Sequence, residues 1–435
     1  MNKRRQVVIT GMEAISPAGV GLKALWEAVR DGRSFGGPIT RFDATRNGSQ
    51  IGAEVSHFDP AAFGLDRDDV ARMDRVTQFC VAASRRALVE AGLDRSRLDP
   101  TRAGVCIGTA IGGVAFMERV FADVCQYNNG KPLMVEVIPD AVDPNVYAGF
   151  LAYSVSSEVA LDNGFHGPCT TLATGCTAGV DAIGAAADFI ALGMADVMIS
   201  GGADAPITPI VVTAFDNINC LTRRNDQPAR ASRPFDRDRD GFLLAEGCGI
   251  VVLESEAHAR ARGARIYGQV LGFASLSNAY HMTGLPADGS ELAHTLRRAL
   301  KDAHIAPDEV DYINAHGSST PQNDRNETAA FKTVFGERAY RIPISSTKSV
   351  IGHTLGAASA LETLVCLCAM LESVIPPTAN YETPDPNCDL DYVPNQPREG
   401  RIRVAECNAS GFSGIHSAII LAHPDYRRNG FHSGS

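Results

Sequence analysis

Cys176 lies in the run TGCTAGVDAIG, residues 174–184. The pattern predicts a buried strand, a tight turn at Gly175 and a helix opening at Cys176, with Val180, Ile183, Ala187 and Ile190 on one face. A helix start gathers unpartnered backbone N–H groups and the positive end of the helix dipole. Both favour a thiolate and predict a lowered thiol pKa. Thr177, Ala178, Gly179 and Gly184 are small and leave room beside the sulfur, as a covalent acyl intermediate requires. A structural cysteine at a helix start is the competing reading.

Two histidines stand at comparable places. His316, in NAHGSST (314–320), follows a short strand expected at 311–313; His353 ends SSTKSVIGH (345–353) at a helix start. A lone histidine is usually structural. Two of them at element ends, with a helix-start cysteine, form a coherent set. Neutral imidazoles can donate Nε2–H to a developing oxyanion. Lys348 is placed to pair with Glu327 and hold the second histidine loop; a solvated surface pair is the alternative. In ASGFSG (409–414) the glycines allow a backbone to approach a ligand closely, and Phe412 is either a gate or an apolar plug.

Other motifs fail on spacing. DRDRDG at 236–241 begins like a calcium loop, but the bidentate position holds Gly247. Gly108, Gly112 and Gly113 do not match a dinucleotide fingerprint, and no G-x-S-x-G elbow is present.

These residues need a scaffold. The 435-residue chain is 45% hydrophobic, enough for a large core or two fused ones. Strand-like runs alternate with small-residue helices, the sign of an α/β protein. A strand, turn and helix around Cys176 has a counterpart in a strand at 342–346, a turn and a helix through 354–371. Both helices open with a reactive residue type, Cys176 or His353. A duplicated α/β unit with a polar site between its halves, or two unrelated small-residue helices, would give this pattern. The join is expected near 255–268, giving halves at 1–258 and 259–424, and 425–435 is expected to be a flexible tail. The apolar runs VVIT, VMIS and GIVVLE are too short for a membrane span, and the N-terminus lacks a signal-peptide core. The net charge of −10 argues against nucleic acid as a partner. Eleven scattered cysteines without a C-x-x-C pair argue against a disulfide framework or zinc site, and suggest a reduced, cytoplasmic protein.

The combined motifs resemble the β-ketoacyl-[acyl-carrier-protein] synthases of the thiolase-like superfamily, over roughly 4–424. They are VVITGM, TGCTAG, SRPFDRDRDGF (232–242), NAHGSST, KSVIGH and GFSG. SNAYHMTGL (277–285), QNDRNETAAFK (322–332) and TPDPNCDLDYVP (383–394) narrow the resemblance to the ketosynthase alpha subunit of type II polyketide synthases. The resemblance implies a duplicated, layered α-β-α-β-α fold. It implies that Cys176 carries the acyl chain, that His316 and His353 assist malonyl decarboxylation, and that Lys348 and Glu327 support them. Phe412 would gate, and its N–H with that of Cys176 would form an oxyanion hole. Ser318 and Thr320 would contact the carrier arm or extender. Ile111 and Phe116 are pocket-lining candidates by analogy, and Arg72, Arg75 and Arg224 match a surface facing an acidic carrier. No cofactor is implied, because phosphopantetheine travels on the acyl carrier protein. The implied partners are that carrier and a related chain-length-factor subunit lacking the nucleophile. Three positions depart from the pattern: Ser413 and Ser319 stand where relatives carry glycine, and Pro321 where many carry lysine. His-Gly-Ser-Ser-Thr-Pro and Ser-Ser-Thr-Lys-Ser are similar to the homodimeric fatty-acid elongating synthases, the alternative reading. A non-catalytic partner subunit is a further alternative.

Overall fold

A computed structural model describes residues 4–127 and 142–427; the expected tail lies outside these from 428 onward. Ten strands repeat one topology twice. The first five are β1 (Val7–Ser16), β2 (Ala103–Gly108), β3 (Cys169–Leu172), β4 (Val197–Asp204) and β5 (Gly247–Ser255). They are ordered β3-β2-β4-β5-β1, with β2 parallel to β3 and β4, and β5 antiparallel to β4 and β1. The second five are β6 (Gly268–Ser277), β7 (Tyr312–Asn314), β8 (Ile344–Ser345), β9 (Val404–Gly411) and β10 (Ile415–Ala422). Their order, β8-β7-β9-β10-β6, and their strand directions repeat the first set. Among the described residues, the strand pairing that joins the two sets is that of Val7–Ile9 of β1 with Gly268–Val270 of β6.

Side-chain alternation builds the layers. On β5, Cys248, Ile250 and Val252 face an outer core with helices α1 (Arg75–Glu90) and α2 (Ser154–Asn163), while Val251 and Leu253 face the centre. On β10, Ala418 and Ile420 face the opposite outer core, with α4 (Ser290–Ala303) and α5 (Pro321–Phe335). Ile419 and Leu421 face the centre. Between the sheets run α3 (Ala178–Ala191) and α6 (Ala358–Glu372). The result is the expected α-β-α-β-α stack. A helix buried on every side must be apolar all round. Leu355–Glu372 is, among the described residues, the one helix long and apolar enough to cross a membrane, yet it lies in the protein core. Close packing of the central pair depends on Gly179, where a β-carbon would fall 2.8 Å from the Gly356 carbonyl oxygen.

Each central helix follows a 3₁₀ turn, Gly175–Thr177 before α3 and Leu355–Ala357 before α6. The positional mate of Cys176 is therefore Gly356. His353 lies three residues earlier, in a bridge to Leu244, so the two reactive residues do not open equivalent helices. The two serines that replace glycine both fall at left-handed backbone: φ is 68° at Ser319 and 70° at Ser413. That costs an L-residue about 1–2 kcal/mol. It explains why glycine is favoured at both places.

Candidate active site

Cys176 is half-buried in a cavity of about 270 Å³ that His316, His353, Ser318, Thr320, Ser410, Gly411 and Phe412 also line. Its turn is pinned by Asp181, one turn into α3. The Asp181 carboxylate accepts hydrogen bonds from Thr174 Oγ1 (2.5 Å), Thr177 Oγ1 (2.7 Å) and Ser417 Oγ (2.5 Å). The last of these ties the nucleophile turn to β10. The expected low thiol pKa is corrected. Burial pushes the Cys176 thiol up to about 12, against the pull of Lys348 and aided by Asp204 and Glu362. Desolvation outweighs the helix start. The resting group is therefore the thiol.

The histidines are close, with ring centroids 5.2 Å apart in an edge-to-face arrangement at 80°. Phe242 packs on His353 at 5.0 Å. Their tautomers follow from their neighbours. His316 Nδ1 lies 3.3 Å from Lys348 Nζ, an ammonium with no lone pair, so Nδ1 accepts and the ring proton sits on Nε2. His353 Nδ1 accepts the Leu355 N–H at 3.2 Å, so its proton is also on Nε2. Leu355 adopts a left-handed φ of 49° there. Burial, and then the Lys348 charge, push both histidines well below their ordinary pKa. Two neutral Nε2–H donors therefore serve one cavity.

The expected Lys348–Glu327 ion pair does not form. Lys348 Nζ bonds Glu362 instead, and donates to the His316 carbonyl at 2.7 Å. Lysine and Glu362 are each 1% exposed, so neither charge could stand alone. Glu327 acts on the same loop by other means. It accepts the backbone N–H groups of His316 (2.8 Å) and Gly317 (2.7 Å), with Asn323 and Asn408 amides at 2.7 and 2.8 Å. Burial raises it to about 7. Asp204, at the end of β4, clamps both halves. It accepts from Thr109 Oγ1 (2.7 Å) and from the N–H groups of Ala110 (2.7 Å), Ile111 (3.2 Å) and Gly356 (2.7 Å). Sequence reasoning missed Glu362, Asp204 and Asp181. A lone glutamate inside ASALETLVCLCAML (358–371) was the available signal for Glu362.

Phe412 shares an apolar cluster with Cys176 and lies 6.3 Å, ring to ring, from Phe215. A β-carbon on Gly411 would sit 3.5 Å from the Cys176 amide nitrogen, so the 411–412 backbone passes directly beside the nucleophile. Ser318 and Thr320 bond each other at 2.9 Å, and the Thr320 side chain caps α5. Ile111 and Phe116 do not line this cavity. Ile111 packs at the edge of the Cys176 cluster, whereas Phe116 is buried in a separate one with Val120 and Val124. Arg72 and Arg75 are committed to the protein's own acids. Arg72 pairs with Glu158 and Asp69, and Arg75 binds Glu246 through two contacts at 3.0 and 3.1 Å while stacking on Phe79. Arg224 is paired as well, lying 3.8 Å from the cavity-lining Asp240 and donating to the Asp238 carbonyl at 2.5 Å. The false calcium loop is an arginine-clamped scaffold: buried Arg239 joins Asp385 (2.8 Å) and Asp324 (3.4 Å).

Comparison with known proteins agrees with this geometry. The Beta-ketoacyl synthase N-terminal domain model matches residues 4–259, and the C-terminal domain model matches residues 267–382. The chain is 47% identical over 425 residues to the tetracenomycin polyketide synthase ketoacyl synthase alpha subunit of Streptomyces glaucescens, covering 98% of this chain and 99% of that one. It is 42% identical to the 3-oxoacyl-[acyl-carrier-protein] synthase 2 of Synechocystis, with 98% and 99% covered. Among solved structures, one is a type II polyketide synthase acyl-carrier protein in complex with its ketosynthase bound to the hexaketide. It matches with TM-score 0.89 at 40% identity, covering 97% of this chain and 100% of that one. The ishigamide ketosynthase/chain length factor matches at 0.88 and 35%, with 97% and 99% covered. A cysteine and two Nε2–H histidines in one cavity of a duplicated five-layer fold thus belong to a member of the β-ketoacyl synthase family, the acyl-transferring condensing enzymes.

Proposed function

We propose that this chain is the catalytic ketosynthase subunit of a type II polyketide synthase, extending a Cys176-bound acyl chain by two carbons per turn. The observation that carries the chemistry is the convergence of a thiol and two neutral Nε2–H donors on one cavity. The Cys176 thiol attacks the thioester of an acyl carrier protein, and its proton leaves on the carrier's thiol. The N–H groups of Cys176 and Phe412 stabilise the tetrahedral oxyanion, each for about 3 kcal/mol. Malonyl carrier protein follows. Its Cα–carboxylate bond breaks, carbon dioxide leaves, and the electron pair becomes an enolate whose oxygen His316 and His353 hold. The enolate carbon attacks the acyl thioester. The sulfur of Cys176 leaves as thiolate and takes up one proton from solvent, which restores the resting thiol. Phosphopantetheine arrives on the carrier, so the chemistry asks no cofactor of this chain. Lys348 and Glu327 position His316. Residues 1–258 and 259–424 are the two copies of the repeated unit. Eleven free cysteines suit a reducing cytoplasm.

The acyl carrier protein docks at the cavity mouth beside Arg224. A second subunit, the chain length factor, docks on the edge strand β3. That strand is exposed at Cys169 and half-exposed beyond it, and exposed Tyr147 and Tyr153 pack against each other 6.1 Å apart, with the Tyr153 carbonyl 3.4 Å from Thr171 Oγ1. The similarity to the Synechocystis synthase supports a second reading, a homodimeric fatty-acid elongating enzyme. Purification of the chain alone and with a chain-length-factor homologue separates them. A scattering-derived mass and product analysis should give full-length product only from the heterodimer. A homodimer that makes full-length product unaided would overturn the polyketide-subunit reading in favour of the fatty-acid one.

A further inference from the structure

A third histidine lies behind the gate turn and plays no part in the steps above. Ser410 and His416 face each other across the β9–β10 hairpin, directly below the turn that carries Phe412. Ser410 Oγ and His416 Nδ1 are 2.9 Å apart. Ser410 lines the active cavity. His416 is 1% exposed, and its Nε2 has no hydrogen-bond partner among the described residues. A buried N–H without a partner is rarer than an acceptor without one. The ring proton of His416 therefore belongs on Nδ1, where it donates to Ser410 Oγ, and Nε2 keeps a bare lone pair. The hydroxyl hydrogen of Ser410 is then free to donate into the cavity.

The surroundings indicate what it meets. Around Cys176 the neighbours are apolar: Ile111, Phe215, Leu355 and Phe412, as suits an acyl chain. Ser410 stands on the polar flank, where His416 is close enough to His316 to disfavour its protonation. Ser318 and Thr320, which also line the cavity, are already bonded to each other. No lysine or arginine is among the described residues lining the cavity. An extender carboxylate must therefore be recognised by neutral donors. That suits its fate. A facing cation would favour the charged carboxylate over the carbon dioxide it becomes, and so oppose the step.

We propose that Ser410, oriented by His416, donates its hydroxyl hydrogen to the carboxylate of the malonyl extender unit. This rests on the condensation reaction proposed above. Ser410 touches the substrate, and His416 is a positioning residue. In the step itself the Cα–carboxylate bond breaks, its electron pair enters the enolate, and carbon dioxide departs from Ser410 uncharged. Neither Ser410 nor His416 gains or loses a proton.

The test measures two half-reactions on the chain with its partner subunit: acylation of Cys176 by acyl carrier protein, and carbon dioxide release from malonyl carrier protein over a range of concentrations. Ser410→Ala should raise the KM for malonyl carrier protein about tenfold, the loss of a hydrogen bond to a charged group, and leave acylation unchanged. His416→Phe should shift the KM the same way. His416→Asn, whose side-chain amide N–H takes the place of Nδ1–H, should restore it. An unchanged KM in Ser410→Ala, or an equal fall in both half-reactions, would overturn the assignment. A wild-type protein that never becomes acylated at Cys176 would instead overturn the reaction on which it rests.

Discussion

Cys176→Ala should abolish chain extension, with a loss of about 10⁴-fold or more, because no other group in the cavity is placed to carry the acyl chain. Cys220 also lines the cavity, but its sulfur is occupied as a donor to the Phe215 carbonyl at 3.1 Å. The fold should survive. Alanine is a good helix former, and the contacts that fix the turn come from Asp181, Thr174 and Thr177 rather than the sulfur. Circular dichroism and a melting temperature within a few degrees of wild type would confirm the fold, and product analysis would read the activity. Extension at a measurable fraction of the wild-type rate in such a folded variant would remove Cys176 as the acyl carrier.

Lys348→Met should damage both stability and decarboxylation, for separable reasons. It leaves Glu362 fully buried without its cation, which costs about 3–5 kcal/mol. It also removes the donor that holds His316 Nδ1 as an acceptor, so the ring is no longer fixed with Nε2–H toward the substrate. Loss of one oriented donor should slow carbon dioxide release by about 10²-fold. The double variant Lys348→Met/Glu362→Gln distinguishes the two effects. It removes both buried charges and should recover most of the stability, while decarboxylation stays slow. Recovery of both together would mean that Lys348 contributes only to stability and that His316 is oriented by something else.

The meeting of Cys176 with both histidines in one cavity was legible because short motifs place them at strand and turn ends, and such local geometry survives folding. Their supports were not. Which acid meets Lys348 depends on how α5 and α6 pack around the His316 loop, which the sequence does not show. The Cys176 thiol was misjudged for a related reason. The helix-start effect is local and visible in the sequence, but burial is set by residues far away along the chain, among them Ile111, Phe215, Leu355 and Phe412. Phe116 and Ile111 share a segment, yet a short turn sends them to different clusters. Ser410 and His416 become neighbours only through hairpin register, which is fixed by the Phe412–Gly414 turn. The doubled topology was legible as two similar strand–turn–helix units. The mate of Cys176, however, proved to be Gly356, because both helices are preceded by a 3₁₀ turn that the residue types do not announce.

The most direct test of the account is peptide mass spectrometry after incubation with acyl carrier protein, followed by addition of malonyl carrier protein. One acyl group should be found, attached at Cys176 alone. On malonyl addition that adduct should disappear as the carrier gains the acyl chain plus two carbons, with one carbon dioxide released per transfer. Acylation at another residue, or an adduct at Cys176 that malonyl carrier protein cannot discharge, would contradict it.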